Sequence, residues 1–136
     1  MPRDERVLSV LQKVAPGTAL REGIDRIIKS GKGAIIVLGY TPDLDEIISG
    51  GFKLDTKFTA QRLSEVAKMD GAIVLDEGPE KILYANVHLV PDPKVPTAET
   101  GTRHRTAERV ARQTGKPVIS VSESMRIVSL YVDATK

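Results

Sequence analysis

The sequence predicts an α/β fold: a single domain with a mixed central β-sheet and helices packed on its faces. Three observations carry that expectation. Segments with apolar residues at helical spacing are interspersed with short apolar runs of strand length. Two pairs of consecutive strand-like runs are separated only by turn residues, which calls for antiparallel hairpins inside the same sheet. The chain is 136 residues long and shows no internal repeat or low-complexity segment, enough for one domain with a real core.

In chain order, residues 4–14 read as a helix with Val7, Val10, Leu11 and Val14 on one face. Pro16-Gly17 breaks it. Thr18 is placed to cap a second helix whose Leu20, Ile24, Ile27 and Ile28 form an apolar stripe, ended by Gly31. Ala34-Ile35-Ile36-Val37-Leu38 is a continuous apolar run and predicts a buried central strand. Thr41-Pro42 has the cap-then-proline order of a short helix. Gly50-Gly51 closes that element, and Phe52-Lys53-Leu54 reads as a short strand. A helix over 59–68 would bury Leu63, Val66 and Ala67. Residues 71–75 and 81–89 read as strands, with Gly78-Pro79 as the turn of a hairpin. Three prolines make 90–102 a loop. From Thr106, the spacing of Ala107, Val110, Ala111 and Thr114 predicts a helix, stopped by Gly115 and Pro117. The runs 118–121 and 127–132 complete the set as strands joined by a tight turn.

Composition narrows the chemistry. The net charge of +2 supplies no global basic field to recruit nucleic acid, so any anion site must be local. Three tyrosines, two phenylalanines and no tryptophan leave few surfaces on which bases could stack. With no cysteine, disulfides, thiolate metal sites and thiol nucleophiles are excluded. No apolar run has the length of a membrane span, and the start lacks the apolar core of a signal peptide, so a cytoplasmic chain is expected. Asp133-Ala134-Thr135-Lys136 follow a strand-like run with no closing element, which suggests a domain excised from a longer chain.

Three places could hold chemistry. Thr100-Gly101-Thr102-Arg103-His104-Arg105-Thr106 sets two arginines around a histidine before a helix that Thr106 is expected to cap. A helix N-terminus presents unpaired N–H groups and partial positive charge, and two guanidiniums beside it make a cradle for phosphate oxygens. The competing reading is a solvated basic loop paired with Glu99 and Glu108. In Asp70-Gly71-Ala72, an acid at the mouth of a strand precedes two tiny side chains. That leaves room for a ligand, and a carboxylate can hold Mg²⁺ or Mn²⁺ against phosphates; a plain helix-to-strand turn uses the same residues. In Ser122-Glu123-Ser124 the hydroxyls could donate to phosphate and Glu123 could approach a metal, though turn preference explains all three equally well. His88 reads as a packed strand histidine. There is no serine-histidine-acid triad and no phosphate loop ending in Gly-Lys-Ser/Thr.

Asp70-Gly71-Ala72 and Arg103-His104-Arg105 at this separation resemble the two signature motifs of diadenylate cyclase domains. Met69-Asp70-Gly71-Ala72-Ile73-Val74-Leu75, Ala85-Asn86-Val87-His88-Leu89-Val90-Pro91-Asp92-Pro93 and Thr100 to Arg109 are similar to the DNA integrity scanning branch of that family. The likeness runs from near Pro16 to Tyr131. It implies that residues 1–136 form a diadenylate cyclase domain, the N-terminal domain of a longer protein without its C-terminal spine and DNA-binding regions; DNA binding is not assigned to this chain. It implies that two ATP molecules are joined into cyclic di-3′,5′-adenylate (cyclic di-AMP) with release of two pyrophosphates. Each 3′-hydroxyl would attack the opposite α-phosphate in a face-to-face dimer. By the same analogy Asp70 holds Mg²⁺ or Mn²⁺ and helps activate the 3′-hydroxyl, His104 is a second metal contact, and Glu123 a weaker candidate. Arg103 and Arg105 would grip phosphates. Gly71, Ala72, Leu89 and Thr102 would line the nucleotide, with Leu89 against adenine. Thr106 and Ser122 would donate to phosphates. The scanning branch also implies a homo-octamer. The alternative is a sensing domain that binds ATP or cyclic di-AMP without turnover.

Overall fold

The computed structural model describes residues 2–69, 71–97, 102–122 and 128–132, with the backbone alone for 2–7. Helix α1 (Pro2–Lys13) and helix α2 (Ala19–Lys29) lead into strand β1 (Ala34–Leu38). A 3₁₀ turn (Pro42–Glu46), β2 (Ile48–Ser49), β3 (Phe52–Lys57), α3 (Ala60–Val66), β4 (Ala72–Leu75) and β5 (Lys81–Leu89) follow. Helix α4 (Thr102–Thr114) and strands β6 (Val118–Val121) and β7 (Val128–Tyr131) complete the fold. The strands form one seven-stranded sheet in the order β2-β5-β4-β1-β6-β7, with β3 also paired to β5. The pair β1–β4 is parallel; β5 lies antiparallel to β4, β6 to β1 and β7 to β6. The mixed α/β expectation holds.

Alternation along the strands divides the core in two. Ala34, Ile36 and Leu38 of β1 face α1, α2 and α3, meeting Val10, Leu20, Ile24, Ile27 and Leu63. Ile35 and Val37 face the other way, toward the 3₁₀ turn and α4, where Leu44, Ala72, Val87, Leu89, Ala107, Val110 and Ala111 gather. A strand covered on both faces must be apolar throughout, which is why β1 reads as an unbroken run. The caps follow the side-chain chemistry. Thr18 and Thr59 each accept a hydrogen bond from the backbone N–H three residues on, at 3.2 and 3.0 Å, and so start α2 and α3.

Several local expectations are corrected. Arg103, His104 and Arg105 are not in a loop, and Thr106 is not a cap: α4 already begins at Thr102. Nothing between Thr102 and Thr114 breaks a helix, and arginine is a good helix former, so the turn extends backward beyond the apolar stripe. Leu11 is exposed, because the face of α1 that meets the sheet is centred on Val10. His88 is exposed, pointing away from the buried side of β5. β3 runs to Lys57 rather than stopping at Leu54, and Ile48–Ser49 forms an additional short strand before Gly50-Gly51.

Gly23 lies in the middle of α2, where glycine ordinarily weakens a helix. A β-carbon there would come within 2.7 Å of Leu63 Cδ2, a fully buried side chain of α3, so the glycine admits the neighbouring helix. Gly23→Ala, worth about 1 kcal/mol of added stability in an exposed helix, should therefore destabilise this protein. In a Leu63→Ala background it should regain part of that benefit. Urea denaturation of the four variants checks the reversal.

Candidate functional site

The sheet topology brings the singled-out segments to one end. Ile35 is paired with Ala72, and Ala34 with Val121. Ala72 is paired with Val87. β1 and β4 therefore begin where β5 and β6 finish. Gly71, Leu89 and Ser122, at the ends of β4, β5 and β6, all sit here, with the start of β1 between β4 and β6. α4 runs antiparallel to β6, so its first turn arrives there too, and its free N–H groups open toward it.

Arg103 is half-buried in that first turn. Its guanidinium lies over Gly33, the residue just before β1: a β-carbon at Gly33 would stand 2.5 Å from Nη1, 2.7 Å from Cζ and 3.0 Å from the Val121 carbonyl oxygen. His104 is also half-buried, and its Nδ1 is 3.2 Å from the Tyr131 hydroxyl of β7. With Nδ1 engaged, Nε2 is the ring nitrogen left to meet a ligand. A lone pair on Nε2 requires the tautomer in which Nδ1–H donates to Tyr131. Arg105 is exposed. Residues two apart on a helix differ by about 200° in direction, so Arg103 and Arg105 flank the helix axis. An anion lying on that axis, ahead of the N-terminus, is within the compass of both. Thr102 and Thr106 share a face one turn apart, the first exposed and the second half-buried.

Among the described residues, neither Arg103 nor Arg105 forms an ion pair, whereas Glu108 is engaged elsewhere, with Arg112 at 3.2 Å and with the Thr97 hydroxyl. The loop before α4 is strapped to its outer side by Arg109 Nε donating to the Val95 carbonyl at 2.9 Å and the Asp92 N–H donating to Gln113 at 2.8 Å. Glu108, Arg109 and Gln113 thus hold the preceding loop and the helix surface together.

The corner preceding β4 is built by steric exclusion. Gly71 has φ +98°, and a β-carbon on it would come 2.8 Å from both Asn86 C and the Val87 carbonyl oxygen. On the other side of β5, Gly51 with φ +81° approaches the Ala85 carbonyl oxygen equally closely, at 2.7 Å. Between them Asn86 takes φ +60°, and the β4–β5 register slips. This is a β-bulge clasped by two glycines. Ala72 and Leu89 are buried in the α4-side cluster, joined by the partly buried Ile35. Ser122 is half-buried at the end of β6, and two residues earlier the buried Ser120 Oγ has no hydrogen-bond partner. Asp70 and Glu123 lie outside the described residues, as do Glu99, Thr100, Gly101 and Ser124. Among the described residues no three His, Asp or Glu side chains converge as a metal cluster.

Gly33, Ile35 and Asn86 join this end of the sheet, and Tyr131, which pairs with Val118 at the other end of β6, reaches His104 with its hydroxyl; none of the four was singled out from the sequence. Gly33 resembles any turn glycine after a helix, and the others read as strand residues. Only the Asn86-Val87 pair, inside a motif stretch, hinted at more than packing.

The opposite end of the sheet carries a cleft of about 400 Å³ lined by residues including Lys13, Gly39, Tyr40, Thr41, Asp76 and Lys116. Several of the groups around it are paired with one another. Lys116 Nζ donates to Thr41 Oγ1 at 2.6 Å and stands 3.8 Å from Asp43. The Thr41 hydroxyl, then Lys116, hold the Asp43 carboxyl below its usual range. Tyr40 donates to Asp45 at 2.8 and 2.9 Å, and that bond, with Tyr84 beside it, pushes the Tyr40 phenol well above its ordinary value.

Comparison with known proteins identifies a family. Residues 21–135 match the family described as "DAC: DisA bacterial checkpoint controller nucleotide-binding". The chain is 57% identical over 133 residues to the DNA integrity scanning protein DisA of Acidothermus cellulolyticus, covering 98% of this chain and 36% of that one. It is 59% identical over 128 residues to the protein of the same name from Beutenbergia cavernae, covering 94% and 36%. The chain thus spans little more than a third of these relatives. Among solved structures it resembles a hypothetical membrane spanning protein from Bacillus cereus, with TM-score 0.75, 21% identity, and 96% of this chain and 68% of that one covered. It also resembles DacA from Staphylococcus aureus, an N166C/T172C double mutant, with TM-score 0.64, 23% identity, and coverage of 96% and 86%. These two likenesses concern the fold. No described helix is long and apolar enough to cross a membrane.

The glycine corner yields a direct expectation. Gly71→Ala combines a left-handed backbone with a collision against backbone atoms that cannot rotate away. It should lower stability by about 1–3 kcal/mol, and more than Gly50→Ala, whose β-carbon would meet nothing within 4 Å. Thermal denaturation of the two variants provides the comparison.

Proposed function

Because this chain belongs to the DisA bacterial checkpoint controller nucleotide-binding family, we propose that it is a diadenylate cyclase, joining two ATP into cyclic di-3′,5′-adenylate and two pyrophosphates. One observation supports this reading most: a half-buried arginine without an ion pair among the described residues, in the first turn of α4, at the sheet end where the Gly71 corner lies.

Each 3′-hydroxyl oxygen forms a bond to the α-phosphorus of the opposite ATP while the bridge from that phosphorus to the β-phosphate breaks. The proton leaves toward the Asp70 carboxylate, and pyrophosphate departs with the bond electrons. Phosphoryl chemistry of this kind depends on alignment and charge neutralisation more than on covalent help from the protein. Arg103 and Arg105, from either side of the α4 axis, neutralise the phosphates, and the free N–H groups of Thr102 to Arg105 add donors. Thr106 and Ser122 supply hydroxyl donors. Gly71 and Ala72 leave room for the nucleoside, and Leu89 presents an apolar edge to adenine. Asp70 and the Nε2 of His104, with Glu123 as a further donor, suit a hard or borderline divalent cation, Mg²⁺ or Mn²⁺, which would neutralise phosphate charge when bound.

One site of this form holds one ATP. The product is two-fold symmetric, so two copies facing each other about a two-fold axis are required. Alignment of each hydroxyl with the opposite phosphorus then comes from the dimer. An octamer containing such pairs is the assembly proposed. The chain would supply the cyclase domain of a longer, cytoplasmic protein; DNA binding is not assigned to it.

Incubation with ATP and Mn²⁺ or Mg²⁺, followed by chromatography, should yield cyclic di-AMP. Tight ATP or cyclic di-AMP binding with no product would instead make the chain a sensor. Asp70→Asn should reduce cyclisation by orders of magnitude while ATP binding partly survives. Arg103→Ala or Arg105→Ala removes a charge-assisted contact worth about 1.5–3 kcal/mol, so calorimetry should show ATP affinity falling about tenfold or more. A mixture of ATP and 3′-deoxy-ATP should accumulate a linear dinucleotide by mass spectrometry, since the analogue has no hydroxyl with which to close the ring.

A further inference from the structure

We infer that Gly33 is a positioning residue: it is the seat that aims the Arg103 guanidinium at the phosphate site. The inference rests on the reading of Arg103 as a phosphate ligand and extends it to a residue outside both motif stretches.

Gly33 lacks the left-handed backbone of Gly31 and Gly39, which flank it in sequence at φ +77° and +108°. Conformation therefore does not demand glycine at this position. Space does. A β-carbon would stand 2.5 Å from Arg103 Nη1 and 2.7 Å from Cζ, both far inside contact distance, against 3.0 Å from the Val121 carbonyl oxygen. The two closest atoms belong to the movable end of a side chain, the third to the backbone of β6.

The consequence is specific. An added methyl group is relieved chiefly by swinging the guanidinium off the strand ends, at small cost to the fold. The same movement takes the charge away from the corner shared with Ser122, which directly follows Val121. Seated on a bare Cα, the guanidinium is held half-buried and loses less freedom when it meets an anion. A side chain at position 33 turns that pre-set donor into a mobile surface cation.

The test is a double-mutant cycle of Gly33→Ala with Arg103→Ala, read in three ways. Calorimetry with ATP, and with inorganic triphosphate as a probe of the anion site alone, should show Gly33→Ala weakening binding about as much as Arg103→Ala, about tenfold. The double variant should lose no more than either single one. In nucleotide-free protein, the Arg103 side-chain Nε–Hε resonance should shift in Gly33→Ala. Melting temperature should change little, and Gly33→Ala should be neutral in the Arg103→Ala background, where nothing mobile remains to collide. Unchanged affinity, additive losses, an unmoved Nε–Hε resonance, or unfolding of Gly33→Ala even without Arg103 would each overturn the proposal. Failure of the wild-type chain to form cyclic di-AMP would count against the cyclase reading alone. The resonance and the triphosphate affinity would still decide the role of Gly33.

Discussion

The parallel pairing of β1 with β4 is the constraint from which the site follows. Both central strands begin at the same end of the sheet. Their outer neighbours, β5 and β6, are antiparallel to them and finish there. Four chain segments distant in sequence thus present two starts and two finishes along one rim. α4, connected to the far end of β6, must return along the sheet and deliver its N-terminus to the same rim. Had β4 been antiparallel to β1, the glycine corner and the arginine turn would lie at opposite ends.

The rim is shaped by absent side chains. Gly33 clears space for a guanidinium, Gly71 for the backbone of the β5 bulge, and Gly51 for the other flank of that bulge. Around these gaps the core is closely packed, with Ile36, Val37, Val74, Leu75, Ile82 and Ile119 essentially without exposure. Rigid strands on both sides give the open corner a fixed geometry, as reactions dependent on alignment require. The two ends of the sheet then differ in a simple way. At the cleft end Lys116, Thr41, Asp43, Tyr40 and Asp45 are paired with one another. At the α4 end, among the described residues, Arg103 and Arg105 form no ion pair.

Helical geometry also reshapes the arginine motif. Read as a loop, Arg103 and Arg105 would converge freely on one phosphate. Read as the first turn of α4, they leave the axis on different sides, and only an anion ahead of the helix end lies between them. The helix thus gives the proposed anion site a defined direction. His104, between them, is turned to β7 and oriented by Tyr131.

Much of this was legible in the sequence alone. An unbroken apolar run marked β1 as a buried strand, because a strand covered on both faces tolerates no polar alternation. Thr18 announced the start of α2, because capping is a local bond. The motif stretches, and the family to which they point, are likewise properties of the linear chain. Other features required the tertiary structure. The start of α4 was misjudged because Thr106 can cap a helix in principle, and only the packed fold shows that the preceding residues are already helical. Gly33 looked like an ordinary turn residue because its reason for being glycine is the guanidinium of a residue from another part of the chain. The bulge at Asn86 and the two glycines that clasp it are likewise set by contacts between strands. Local bonding and periodicity can be read from neighbours in sequence; close approach between distant segments is decided only when the sheet brings them together.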